Sequence, residues 1–297
     1  MAKVIKNIPH PLTPSPKGEG ELIHLRCMIS FPNCKINLGL NIVEKRTDGF
    51  HNIESVFYPV QLTDVLEIVE KEGSGTEFTS SGIPVPGGAN DNLCVRAYNL
   101  LKKNHDLPAI KIHLHKIIPI GAGLGGGSAD AAFFIKMLND KFGLWMPWDE
   151  VHDYARKMGS DCSFFISNKP SYVFGRGDEF ENIDLDLSSY HLALVYPNIH
   201  IDTASAYSGI VPKKSSSELT NDIFLPIEEW KNNIKNDFEE TIFAKHPEIK
   251  QIKEKLYSLG AVYSSMSGSG SSVYGIFKGK TDLKREFPNC FVWEAKL

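Results

Sequence analysis

From Lys35 to Ile42 polar and apolar residues alternate strictly, which predicts a strand with Ile36, Leu38, Leu40 and Ile42 on one buried face. The same period sets Lys35 and Asn37 together on the opposite face. Two polar groups therefore look into one space. Apolar stretches around 55–60 and 65–69 predict further strands, and Ile110 to His115 alternates again. Asn90-Asp91-Asn92 ahead of the amphipathic run from Leu93 to Leu101 reads as a cap followed by a helix. A helix opening at Ser128 is predicted next, then helices near 149–158 and 227–259. Strands are expected near 171–175, 190–196 and 273–277. Helical and extended runs mix without regular alternation, which predicts an α+β protein rather than a doubly wound parallel sheet.

The start of the chain has no such pattern. Residues 8–20 contain four prolines and two glycines, so residues 1–27 read as a disordered extension. Met28 stands directly before the first patterned segment and reads as an alternative start, with the preceding residues a mis-called frame.

Composition narrows the function. The 297 residues, 42% apolar and 23% charged, are those of a globular protein with room for one large or two small domains. Lys and Arg number 32 against 36 Asp and Glu, for a net charge of -4. That balance lacks the basic excess of a nucleic-acid binder, so no nucleic-acid partner is expected. A phosphate ligand stays open, because a local pocket can hold one with backbone amides and a few cations. The five cysteines, Cys27, Cys34, Cys94, Cys162 and Cys290, are odd in number and form no C-x-x-C, which indicates neither a disulfide framework nor a zinc site. No apolar run reaches the ~18 residues of a membrane span. A cytoplasmic protein without a membrane partner is expected.

The densest motif follows Pro119. Five of the seven residues from Gly121 to Gly127 are glycine, against 24 in the whole chain. Glycine leaves backbone N–H groups uncovered and free to wrap an anion. The helix that follows adds its own free N–H groups and dipole. Such a segment is a phosphate cradle, although a linker or packing turn is the plainer alternative. It is not a Walker loop, since Gly127-Ser128-Ala129 has no lysine. The match to G-x-G-x-x-G lacks the acidic residue about 20 positions on that a dinucleotide site requires.

Pro119 to Ala132 resembles the central motif of the GHMP kinases, a family that includes galactokinase, homoserine kinase and mevalonate kinase. Lys35-Ile-Asn-Leu38, Arg46-Thr-Asp-Gly-Phe-His51 and Ser267-Gly-Ser-Gly-Ser-Ser272 are similar to further family segments and fall in the family's order. The similarity runs from about Met28 to the C-terminus. It implies a two-domain GHMP kinase fold, with an N-terminal domain resembling domain 2 of ribosomal protein S5 and a ferredoxin-like C-terminal domain. Residues 28–180 would form the ATP-binding domain and 181–297 the second, with the connection near Arg176 to Leu187. The implied activity is ATP-dependent phosphorylation of the C2 hydroxyl of 4-diphosphocytidyl-2-C-methyl-D-erythritol, in non-mevalonate isoprenoid precursor synthesis. Another GHMP small-molecule kinase, of the homoserine or mevalonate type, and a non-catalytic binding protein of the same fold are the alternatives. A monomer or homodimer is expected.

The resemblance also implies roles. ATP would lie against Pro119, Ile120, Gly121, Ala122, Gly123, Leu124, Gly125, Gly126, Gly127, Ser128 and Ala129. Asp161, in Gly159-Ser160-Asp161, would be the general base, with Lys35 stabilising its charge and the transferring phosphoryl group. Read on residues alone, an ordinary first-turn aspartate is the commoner role for Asp161, and a solvated or edge strand lysine the usual one for Lys35. His51 would hydrogen-bond cytosine while Phe50 and Tyr207 stack on it, although core packing is the commoner fate of aromatics. Asn37 and Thr203 would complete the substrate wall. Mg²⁺ is the expected cofactor besides ATP, with Ser128 the one ligand indicated. Two departures stand out: Phe50 replaces a more usual tyrosine, and Cys162-Ser163 replaces Val-Pro after the base, removing a proline that would stiffen the helix start.

Overall fold

The computed structural model describes residues 27–213 and 218–297. The extension expected over residues 1–27 lies outside these except for Cys27. The chain begins with strands β1 (Met28–Ser30), β2 (Asn33–Lys45), β3 (His51–Thr63), β4 (Val65–Glu70) and β5 (Thr76–Gly82), then helix α1 (Leu93–Leu101) and β6 (Ile110–Lys116). Helices α2 (Gly126–Lys141), α3 (Trp148–Met158) and α4 (Cys162–Ser167) precede β7 (Ser171–Phe174), β8 (Glu179–Asn182) and β9 (His191–Tyr196). Short helices α5 (Thr203–Tyr207), α6 (Leu219–Asp222) and α7 (Trp230–Asn233) lead to α8 (Phe238–Lys245) and α9 (Pro247–Ser258). Strands β10 (Tyr263–Met266), β11 (Val273–Phe277) and β12 (Phe291–Lys296) finish the described chain.

Among the described residues three four-stranded sheets form, in the orders β1-β4-β6-β5, β2-β3-β7-β8 and β10-β11-β9-β12. Their pairings are antiparallel except β5 with β6. That mostly antiparallel arrangement is the expected α+β class. Ile68, Ile112 and Leu114 of the first sheet pack against Val95, Tyr98, Phe134 and Leu138 of α1 and α2. The third sheet is apolar on both faces. Leu192, Leu194, Tyr274 and Ile276 face a second cluster, and Ala193, Val195, Val273 and Phe277 a third that includes Ile249 and Leu256 of α9.

Strand β2 differs from its predicted form. It is buried on both faces, and its four apolar residues do not share one cluster. Ile36 and Leu38 join the second cluster, Leu40 and Ile42 the third. The pairing with β3 shifts register between Leu38 and Leu40, and Gly39 at that bulge has φ +74°. A Cβ there would lie 2.8 Å from Ile234 Cγ2, so glycine is required both for the bend and for the close approach.

Local signals elsewhere were realised. Asn92 caps α1 by accepting from the Cys94 N–H at 2.9 Å. Helix α2 begins two residues before Ser128, because Gly125 serves as a left-handed N-cap at φ +70°. The helical region 227–259 is broken into α7, α8 and α9. Residues between α7 and α8 give their backbone to β2 instead: Leu40 N–H donates to Lys235 O and Asp237 N–H donates to Leu40 O, each at 2.8 Å. Pro247 then opens α9 at a position where its missing N–H costs nothing.

Candidate active site

A cleft of about 1190 Å³ gathers residues from β2, β3, α2, α5 and neighbouring loops, including Lys35, Asn37, Phe50, His51, Ser128, Asp161, Thr203 and Tyr207 together with the whole loop from Pro119. Its floor is the bulged strand β2. Lys35 Nζ donates to Asn37 Oδ1 at 2.6 Å and lies 3.6 Å from Asp161 Oδ2. The ammonium also sits 4.1 Å from the centroid of the Phe57 ring. Burial pulls the Lys35 pKa below the usual lysine range, and the Asp161 carboxylate acts against that by favouring the charged form.

Asp161 occupies the N-cap of α4 without behaving as a cap. Its backbone is helical, at φ -72° and ψ -15°, and its side chain accepts no capping hydrogen bond from the helix. The carboxylate is turned instead toward Lys35, with its side chain 29% exposed against 4% for Lys35. The ordinary first-turn role is therefore not the one this aspartate takes. Ser163, at the place of the missing proline, donates to His152 O on α3 at 3.4 Å. A side-chain tie between helices thus stands in for ring rigidity at the start of α4.

Asn37 is less free than its place in the sequence implies. Its Oδ1 receives Lys35, its Nδ2 donates to Ser55 Oγ at 2.9 Å, and its carbonyl accepts from Tyr274 O–H at 2.7 Å. The amide therefore orients the Lys35 ammonium.

The glycine loop passes against the second Gly-Ser loop. Ser267 Oγ donates to Gly123 O at 2.8 Å, and Ser272 N–H to Ala122 O at 3.2 Å. Gly123 has φ +79°, and a Cβ on it would stand 2.0 Å from Ser267 O. No larger residue fits between the two loops. Asn236 braces the second loop, donating to Met266 O and Gly268 O at 2.8 and 2.9 Å. Thr203, at the start of α5, lies 3.3 Å from Ser269 Oγ across the same seam.

The aromatic wall is arranged differently from a two-ring sandwich of Phe50 and Tyr207. His51 and Tyr207 stack on one another, with centroids 4.8 Å apart and planes at 17°, and Phe238 meets Tyr207 edge-on. Phe50 is 57% exposed, and the Arg176 guanidinium lies 5.3 Å from its ring centroid. Burial first, and Lys45 second, hold the His51 pKa below the ordinary histidine value. The imidazole is thus neutral near pH 7 and able to offer one donor and one acceptor. Sequence reasoning placed Arg176 only at a domain connection. Its signal was the Gly175-Arg-Gly177 turn between β7 and β8, which the β3–β7 pairing carries to the cleft.

Residues 92–169 match the model for the GHMP kinases N terminal domain and residues 226–289 that for GHMP kinases C terminal. A protein of Parabacteroides distasonis, named 4-diphosphocytidyl-2-C-methyl-D-erythritol kinase, is 50% identical over 91% of this chain and 100% of its own length. The chain belongs to the GHMP kinases. A second relative of this GHMP kinase, from Azobacteroides pseudotrichonymphae and carrying the same name, is 53% identical over 84% of this chain and 94% of its own. Among solved structures, a 4-(cytidine 5'-diphospho)-2C-methyl-D-erythritol kinase superposes with TM-score 0.77 at 27% identity, covering 90% of this chain and 98% of that one. Mevalonate kinase from Methanococcus jannaschii, at 15% identity and TM-score 0.67, shares the fold. The two-domain α+β architecture of the GHMP kinases is therefore the architecture here.

Proposed function

We propose that this GHMP kinase transfers the γ-phosphoryl group of ATP to the C2 hydroxyl of 4-diphosphocytidyl-2-C-methyl-D-erythritol, a step of non-mevalonate isoprenoid precursor synthesis, and releases ADP. The observation that carries this reading is the Lys35–Asp161 pair, at 3.6 Å, facing the same cleft as the glycine loop. Relatives about half identical over nearly the whole chain, which carry that substrate in their names, support the acceptor.

Phosphoryl transfer depends mainly on positioning and charge stabilisation. The backbone N–H groups of the loop and the N-terminus of α2 hold the phosphates from one side. Asp161 accepts the proton of the C2 hydroxyl as that oxygen forms its bond to the γ-phosphorus. The bond from that phosphorus to the bridging oxygen breaks, and ADP carries the electron pair away. Lys35, held by Asn37, stabilises the charge spread over the transferring group. At the far end of the acceptor, Phe50 has Arg176 on one face and offers the other to cytosine, while the edge of the His51 ring, fixed by its stack on Tyr207, reads the base. Thr203 closes the wall beside them.

Among the described residues no group of three or more His, Cys, Asp or Glu gathers to hold a metal. Ser128, in the first turn of α2, lines the cleft beside the glycine loop, and its hydroxyl would hold a Mg²⁺ delivered with ATP. Bound there, Mg²⁺ would neutralise phosphate charge. Residues 28–180 as the ATP-binding domain and 181–297 as its partner, in a cytoplasmic monomer or homodimer, complete the proposal. No helix among the described residues is long and apolar enough to cross a membrane.

The deciding experiment is an ADP-release assay offering the cytidine diphosphate alcohol, homoserine and mevalonate side by side. Activity with the first alone is expected, with a loss of at least about a hundredfold in Asp161→Asn, the scale of a general base. Turnover of mevalonate or homoserine at comparable rates would overturn the acceptor. Normal turnover by Asp161→Asn would overturn the mechanism.

A further inference from the structure

Outside the reacting groups, the largest concentration of buried charge lies at the two ends of the glycine loop. Lys116, the last residue of β6, donates from Nζ to Asp64 and, at 2.7 Å, to Asp130 Oδ2 near the start of α2. Asp64 stands between β3 and β4, and its Oδ1 accepts the N–H groups of Ile117 at 2.6 Å and Ile118 at 2.8 Å. The three residues are 0 to 3% exposed. A Cβ at Gly126, the first residue of α2, would lie 3.1 Å from Lys116 Nζ.

Two carboxylates and one ammonium withdrawn from water are a costly arrangement unless every partner is satisfied. Here they are not all satisfied, since Asp130 Oδ1 has no hydrogen-bond partner. Apolar side chains would fill this space at less cost, but they would not fix direction. The charged groups join the last residue of β6, the amides of Ile117 and Ile118 that lead into the loop, and the helix after it. Lys116 and Asp130 also line the cleft itself, beside Leu93 and Leu114.

We propose that Asp64, Lys116 and Asp130 form a positioning clasp that sets the separation between the end of β6 and the start of α2, and so aims the amides of residues 121–128 at the phosphates of ATP. This rests on the reading of the loop as the ATP site. The clasp touches no reacting atom. It acts on the curvature of the loop, where a displacement of about an ångström is enough to lower phosphate affinity and transfer rate.

The test is a set of Asp130 variants measured for KM of ATP, KM of the acceptor, kcat and thermal midpoint. Asp130→Ala removes one of the two acceptors of Lys116 and is expected to raise KM for ATP about tenfold while KM for the alcohol stays within twofold. Asp130→Asn keeps an oxygen at the same place and is expected to restore KM for ATP to within about threefold. A thermal midpoint lowered equally in both variants, with KM for ATP unchanged, would reduce the cluster to a fold element and overturn the clasp. So would a parallel rise in both KM values. Should Asp130→Ala fail to fold, Asp130→Glu, which lengthens the arm by one methylene, is held to the same criteria. Failure of ATP to raise the melting temperature of the unmodified enzyme would instead overturn the ATP reading of the loop, which separates the two failures.

Discussion

Gly123→Ala tests the meeting of the two glycine loops with a single methyl group. The new Cβ would lie 2.0 Å from the Ser267 carbonyl oxygen, whereas ordinary contact needs about 3.5 Å. The loops must therefore part by more than an ångström. Alanine at φ +79° adds about 1–2 kcal/mol of left-handed strain. Parting stretches the hydrogen bonds Ser267 Oγ to Gly123 O and Ser272 N–H to Ala122 O, each worth about 1 kcal/mol. A destabilisation of about 3–4 kcal/mol follows, which lowers Tm by roughly 5–6 °C in a protein of this size. Since the same loop aims at the phosphates, kcat/KM for ATP falls about a hundredfold. Gly127→Ala is the control for stability. Its Cβ would meet only Leu93 Cδ1 at 3.8 Å, and an alanine inside α2 is favourable by up to about 1 kcal/mol, so its Tm should not fall. Differential scanning calorimetry together with steady-state kinetics reads both variants. A Gly123→Ala protein that melts within 2 °C of wild type and binds ATP normally would refute the interlock.

Three further outcomes are expected. Acid protonates His51, whose pKa burial holds below the usual value, so its neutral form is intact at pH 7 and lost at low pH. KM for the cytidine substrate should rise as the pH falls below the ordinary histidine range, while KM for ATP stays level, and a flat acceptor profile would remove His51 from base recognition. Tyr207→Ala deletes the ring that His51 stacks on and should raise KM for the acceptor about tenfold, the scale of one stacking contact, with KM for ATP as the internal control. Lys136→Met removes the ammonium that donates to Phe165 O at 3.0 Å and Ile166 O at 3.4 Å near the C-terminus of α4. The loss of about 1.5–3 kcal/mol should loosen the helix that carries Asp161, and kcat should drop several-fold more than either KM rises.

What the sequence disclosed was mostly what short-range rules govern. The cap at Asn92, the shared face of Lys35 and Asn37, and the strand leading into the glycine loop depend on neighbours a few residues away, and all are present. The same alternation misled at Leu40 and Ile42, because one bulge at Gly39 changes which cluster a residue meets without altering the pattern of residue types. Strands β1, β5, β8, β10 and β12 had not been anticipated. Of these, β1 and β8 are three and four residues long, and β5 carries mostly polar and exposed positions. The Asp64–Lys116 contact spans 52 residues and the Asn37–Ser267 contact 230. Neither has a local signature. Family resemblance, rather than periodicity, brought Asp161, His51 and Tyr207 to notice, and the fold then placed all three on one cleft.

Strand β2 threads three apolar clusters within a dozen residues: Phe57 of the first lies under Lys35, Ile36 and Leu38 belong to the second, and Leu40 and Ile42 to the third. A lysine seated on such a junction takes its position from the packing of all three clusters. Inherited lesions at Ile249 or Leu256, on the far side of the third cluster, would then surface in a genetic screen as failures of phosphoryl transfer, although neither side chain lines the cleft.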